Sequence, residues 1–192
     1  MNRFILLCTA LLLAGSLRAQ SQIGRNSVRL GVDLTSLDAP DAVGPRYVGR
    51  LARHFRQDRL LITAEAGYMR LAMANQPFNG IDPGVNRRTR LTADVTVLAD
   101  LLPNPSHALR LGGGLSTWYR QDDIYMGATR VGLDNVAIDR RSRREVNTGW
   151  HLAAEYEWVF VPNWGIDARF RVANLSAAGI SSMLGMGISH RF

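Results

Sequence analysis

Eight stretches of this 192-residue chain alternate apolar side chains with polar or small ones at a period of two. Successive side chains of an extended strand point to opposite faces, so each stretch predicts a strand with one apolar and one polar face. The first sets Val28, Leu30, Val32 and Leu34 against Arg29, Gly31, Asp33 and Thr35. The second sets Tyr47, Gly49, Leu51 and Phe55 against Arg46, Arg50, Ala52 and His54, with Arg53 breaking the apolar face. In the third, Leu60, Ile62, Ala64, Ala66 and Tyr68 alternate with Thr63, Glu65 and Gly67. Met69, Leu71 and Met73 then fall in the opposite phase, which predicts a bulge near Tyr68.

The pattern recurs at Leu91–Leu101, Leu109–Tyr119, Trp150–Phe160, Ile166–Val172 and Leu184–Phe192. No stretch is decisive alone, but segments of about ten alternating residues separated by turn residues predict membrane-crossing strands. The connections support this. Arg56 to Arg59, Leu102 to His107 and Val161 to Trp164 are short. Asn75 to Arg88 and Gln121 to Glu145 are long, and Leu37 to Gly44 and Asn174 to Ser181 are intermediate. Short and longer connections alternate, as expected for short periplasmic turns and longer extracellular loops. Tyr47, Tyr68, Tyr119 and Trp150 fall at one set of strand ends and Phe55, Trp158, Phe160 and Phe192 at the other, where interfacial rings belong. The expected fold is an all-β, eight-stranded antiparallel transmembrane barrel.

The N-terminus agrees. Met1-Asn2-Arg3 is basic, Phe4 to Leu17 carries no charge, and cleavage after Ala19 suits a secretory signal peptide. The run is short of the ~20 residues a spanning helix needs. The expected division is a leader over 1–19 and a barrel domain over 20–192. Cys8 lies inside the apolar run behind Leu6 and Leu7, so a lipid anchor is not expected. Without the leader no cysteine remains, which excludes disulfides and thiolate metal sites.

The 23 basic residues are all Arg; loss of Arg3 and Arg18 leaves 21 against 16 acids, a net charge of +5. An exported chain rarely meets nucleic acid, so anionic lipid headgroups are the expected negative partner.

The last strand, Met183 to Phe192 (MLGMGISHRF), ends on an aromatic residue, and resembles the C-terminal signal read by outer-membrane assembly machinery. His190 stands where many such strands carry an apolar or aromatic residue. The mature chain, above all Trp150 to Phe170, resembles the small outer-membrane barrels of Bacteroidetes, broadly similar to OmpX and OmpA. The resemblance implies a fold and location in the cell outer membrane, with assembly directed by Phe192. The functions of such barrels are diverse.

Eight strands enclose a space just wide enough for side chains to fill. The inward face collects Asp33, Glu65, Asp94, Glu155, Glu157 and Asp167 together with Arg29, Arg50, Arg90, Arg110, Arg169, Arg171 and Arg191. Near-balanced charge predicts a paired plug, because an unpaired buried charge costs several kcal/mol. The alternative is a narrow, charge-lined channel for small solutes or ions.

Catalytic motifs are sparse. Barrel enzymes that deacylate lipid A carry a His-x-Ser pair near the C-terminus; the nearest match is Asn174-Leu175-Ser176, without an imidazole to accept the proton. His54, His107, His151 and His190 are scattered, with no convincing nucleophile beside any of them, and His151 lies ~13 Å along the strand from Glu155. Gly112-Gly113-Gly114 lacks the Lys-Ser/Thr and helix of a phosphate loop and suits a tightly curved strand. Asp82-Pro83-Gly84 reads as a turn. The chain is therefore expected to be a non-enzymatic barrel with no cofactor or metal, whose outer loops carry any specific interaction; its oligomeric state is open, with a monomer favoured. A lipid-modifying enzyme ranks third, after the channel.

The most distinctive loop feature is Arg140-Arg141-Ser142-Arg143-Arg144. Four guanidiniums on the longest outer loop would face lipopolysaccharide phosphates, which such groups bind bidentately.

Overall fold

The structure is a computed structural model that describes residues 26–37, 43–56, 58–74, 85–102, 104, 106–130 and 136–192. The leader and the Asp82-Pro83-Gly84 turn lie outside the described residues. Eight strands run in order: β1 (Asn26–Ser36), β2 (Val43–Phe55), β3 (Leu60–Ala74), β4 (Val85–Asp100), β5 (His107–Arg130), β6 (Val136–Val161), β7 (Trp164–Asn174) and β8 (Ile180–Arg191). Each pairs antiparallel with its sequence neighbours, and β8 returns to β1, closing the barrel. Closure removes both sheet edges along the shared length of the strands. The seam is also tied at its end, where the Asn26 amide donates to the Phe192 carbonyl at 3.1 Å and the Phe192 amide to Asn26 at 2.8 Å.

The alternation read from the sequence is the alternation of the barrel wall. In β7, Ile166, Ala168 and Phe170 are exposed on the outer surface, and Asp167, Arg169 and Arg171 are buried inside. Arg53 does fall on the outer surface, where its guanidinium lies 5.5 Å from the centre of the Phe55 ring. Its charge sits beside an aromatic face at the strand's end.

Two expectations are corrected. There is no bulge near Tyr68: β3 keeps one register against β4 from Leu60↔Ala99 to Ala74↔Val85. Met69 and Leu71 stay on the inner face and are buried there, packing with Leu37. What changes along β3 is the chemistry of the lumen, which turns apolar, and not the phase of the strand. Nor is Gln121 to Glu145 a loop. β5 and β6 stay paired out to Arg130↔Val136, with one irregularity between Tyr125 and Gly127, so the segment is a long β-hairpin projecting from the barrel. The arginine run is part of β6.

The β2–β3, β4–β5 and β6–β7 connections and both described chain ends share one end of the barrel, the turn end. Its turns are tight: Arg56, Asp58 and Asn163 all have positive φ. The other end carries the β5–β6 hairpin and the β7–β8 connection, in which Leu175 and the 3-10 turn Ser176–Ala178 fold inward.

The interior is layered. Ala52, Leu61, Leu98 and Ala153 form one apolar cluster. Trp118, Ala173, Leu175 and Met183 form another, which Leu37 and Ala178 cover. The buried charges form a third layer. Gly112 and Gly114 allow β5 to lie close against β4. A Cβ on Gly112 would stand 1.9 Å from the Val97 carbonyl oxygen, and one on Gly114 1.8 Å from that of Val95.

Candidate functional site

Period-two alternation puts ionisable side chains of all eight strands on one inner surface, and closure brings that surface against itself. Arg29 grips Asp167 past the intervening strand β8, with Nε at 2.7 and 2.6 Å from the two carboxylate oxygens. At the centre Arg46 is fully buried and reaches three acids: Asp33 at 3.0 Å, Glu65 at 2.8 Å and Asp94 at 2.7 Å. Arg169 bridges Asp33 and Glu65, and Arg171 bridges Asp94 and Glu65. Nearer the turn end Arg50 pairs with Glu155. Arg110 joins Glu155 at 3.0 Å to Glu157 at 2.7 Å. Arg191 then links Glu157 at 2.8 Å to Asp58 at 2.9 Å, and the Ser189 hydroxyl donates to Glu157 at 2.5 Å.

The structure thus brings together all the acids named from the sequence and every arginine but one. Arg90 stands apart: it donates to Asp122 at 2.5 Å, at the base of the hairpin. Its place at the centre is taken by Arg46, whose inward parity with Arg50 was visible but which did not enter the expected charge set. Asp122 was missed because it falls in the segment expected to be a loop, and Arg120 because it falls one residue past the expected strand end at Tyr119. Burial tends to raise the Asp122 carboxyl, but hydrogen bonds from Arg90 and Arg120 outweigh it and hold the group below its ordinary value.

Multiple partners per side chain matter energetically. Two charges buried from water recover the cost only when geometry is good and the remaining donors and acceptors are also satisfied. Here Glu65 lies within ion-pair distance of three guanidiniums, so the centre of the lumen is a connected cluster rather than a row of separate pairs, while Asp94 Oδ1 and the Nε atoms of Arg50, Arg110 and Arg171 have no hydrogen-bond partner among the described residues.

Histidines also need a correction. Hydroxyls do lie beside two of them: His151 holds Thr96 at 2.8 Å on Nε2 and Ser116 at 2.8 Å on Nδ1, and His54 holds Ser27 at 2.9 Å. Ser116 and His151 are each 1% exposed, so the contact that would suit nucleophile activation is shut inside the plug.

The arginine run behaves as a strand, not as one patch. Residues two apart share a face, so Arg140 and Arg144 lie on one side of the hairpin and Arg141 and Arg143 on the other. Arg140 is held by Asp123 at 3.3 Å and the Val85 carbonyl at 2.8 Å, and Arg143 by Glu145 at 2.7 Å. Arg141, Arg143 and Arg144 are exposed. Phe192 is exposed at the turn end, its ring 6.4 Å from that of His190.

No protein family description matches the chain, and no curated protein matches it either. Solved structures do. Neisserial surface protein A (NspA) aligns with a TM-score of 0.61 at 12% identity, over 90% of this chain and 100% of that one. A major outer membrane protein from Thermus thermophilus aligns at 0.57 and 12% identity, over 89% and 100%. The attachment invasion locus protein Ail of Yersinia pestis, solved with the heparin analogue sucrose octasulfate, aligns at 0.56 and 14% identity, over 89% and 100%. At such identities the likeness is one of fold: that of the small outer-membrane barrels. A Bacteroidetes resemblance gains no support from these neighbours.

Proposed function

We propose that the chain is a non-enzymatic barrel of the cell outer membrane, exported by its leader, which holds the β5–β6 hairpin above the membrane as a surface for anionic partners. One observation carries the reading: a closed barrel wears its apolar side chains outside and its charges inside. Leu30 (70% exposed), Leu115 (72%) and Met186 (70%) are the most exposed of the large apolar side chains on the outer surface. Soluble monomers rarely expose contiguous apolar patches beyond a few hundred Å². From Tyr47 to Phe55, β2 takes eight steps of ~3.3 Å, which at a tilt of ~40° spans about 20 Å of height, close to the apolar band of such barrels. Tyr47, Tyr68 and Tyr119 border the band on one side and Trp158, Phe160 and Trp164 on the other, all exposed.

In this orientation the turn end with Phe192 faces the periplasm and the assembly machinery, and the hairpin faces outward. The filled lumen favours a scaffold over the narrow channel. Arg140, Arg141, Arg143 and Arg144 then stand on the projecting hairpin, where lipopolysaccharide phosphates lie. Changing all four to Gln should weaken lipopolysaccharide association at low ionic strength and leave assembly intact, read as faster migration of the unboiled protein on gels. The difference should shrink at physiological salt, where the Debye length is ~8 Å. Equal binding at low salt would refute the surface reading, and recovery of the protein in soluble form without detergent would refute the location.

A further inference from the structure

We propose that the mouth of the barrel, inside the base of the hairpin, is a binding site for a phosphate or sulfate ester group, held by Arg88, Arg90, Arg120 and Trp118. The site is distinct from the exposed arginine run: none of the four arginines of the run lines the cavity, although Arg143, opposite Asp122 in the register, lies on the same face just beyond it.

Register builds it. Arg90 pairs with Arg120 and Arg88 with Asp122 across β4 and β5, and all four share the inward parity of Trp118. The β7–β8 connection contributes Ala178 and the start of β8 contributes Ser181. Between them lies a cavity of about 120 Å³, walled by the three arginines, Trp118, Ser181, Leu37 and Ala178.

The wall has more donors than acceptors. Asp122 is shared by Arg90 and Arg120, each at 2.5 Å, and Glu145 serves Arg120 at 3.4 Å and Arg143 at 2.7 Å. Arg88 makes no ion pair among the described residues, yet lies close enough to Arg90 to act on it as a like charge. Trp118 is 2% exposed, and its indole Nε1 has no hydrogen-bond partner among the described residues. Indole nitrogen can only donate, so a buried Trp ordinarily finds an acceptor. Arg46 lies over the Trp118 ring, 5.9 Å from its centre, and holds that ring in place from below.

A surplus of guanidinium charge, an unanswered N–H and a hydroxyl around one cavity call for a ligand that is all acceptor and negatively charged. A tetrahedral oxyanion meets both demands, and guanidinium forks bind its oxygens in pairs. Leu37 and Ala178 leave an apolar side for the carbon of an ester.

The test uses the full mature chain with 15N-labelled tryptophan in maltoside micelles, where the Trp118 indole N–H resonance is identified by its loss in Trp118→Phe. Inorganic phosphate and glucose 6-phosphate, each titrated to millimolar levels, should shift that resonance saturably. Arg88→Gln should weaken binding about tenfold, the effect of losing one charge-assisted hydrogen bond. Arg59→Gln, at the turn end, should leave it unchanged. Unboiled gel mobility verifies that each variant is folded, and Ser181→Ala, a smaller change, should weaken binding by a lesser factor. A shift seen only in nanodiscs containing phosphate-bearing lipid would support the site and assign it to a headgroup. A Trp118 resonance indifferent to every phosphate source, or equal weakening by Arg59→Gln, would overturn the proposal.

Discussion

Arg46→Met should cost the barrel about 3 kcal/mol, the low end of what breaking a buried ion pair costs. The residue is fully buried and holds Asp33, Glu65 and Asp94 at once. Methionine fills much of the volume but strips each acid of a donor. Arg169 and Arg171 remain in place beside all three acids, which keeps the loss from being larger. Adding Glu65→Leu to Arg46→Met should cost less than the sum of the two single changes, because the pair act on each other directly. Equilibrium unfolding by urea in lipid vesicles reads both. A loss for Arg46→Met below about 1 kcal/mol, the range of solvent-exposed pairs, would mean that water fills the lumen.

Gly112→Val should prevent assembly altogether. The first side-chain atom would stand 1.9 Å from the Val97 carbonyl oxygen, and that oxygen belongs to the β4 backbone, which cannot move without breaking the ladder. Gly127→Val is the matched control, since nothing lies within 4 Å of its added Cβ. Refolding trials should give the fast-migrating unboiled band for the second variant and not for the first. A normal band from Gly112→Val would show that β5 does not lie as close to β4 as described.

Where one strand face meets an apolar surround and the other a polar lumen, period two makes the strand visible, and β4, β6 and β7 were legible for that reason. The hairpin was not. Beyond Tyr119 and Val146 both faces of β5 and β6 become largely polar, so alternation vanishes although pairing continues. β3 misled in the opposite way: Met69 and Leu71 face an apolar part of the lumen, and an apolar side chain there looks like a change of phase. Trp118 hid for the same reason, an inward aromatic on a strand whose large apolar side chains from Leu109 to Tyr119 otherwise face out.

Of the charge network, the faces were legible and the partners were not. Arg29 and Asp167 are 138 residues apart, and their meeting depends on closure of the barrel and on the register of β8 between β7 and β1. The stagger of the strands also moves Arg90 out to the mouth and Arg46 into the centre, which parity alone cannot distinguish. The mouth cavity needed three separate segments to converge, none with a local signature.

In the proposed reading the barrel spans the membrane and is sealed by its own buried ion pairs. Single-molecule recording of the purified protein in planar bilayers tests it most directly. The sealed lumen predicts no steady, reproducible current above the bare-bilayer baseline at any applied voltage the membrane withstands. A stable, ion-selective conductance from the unmutated protein would contradict it and make the barrel a channel.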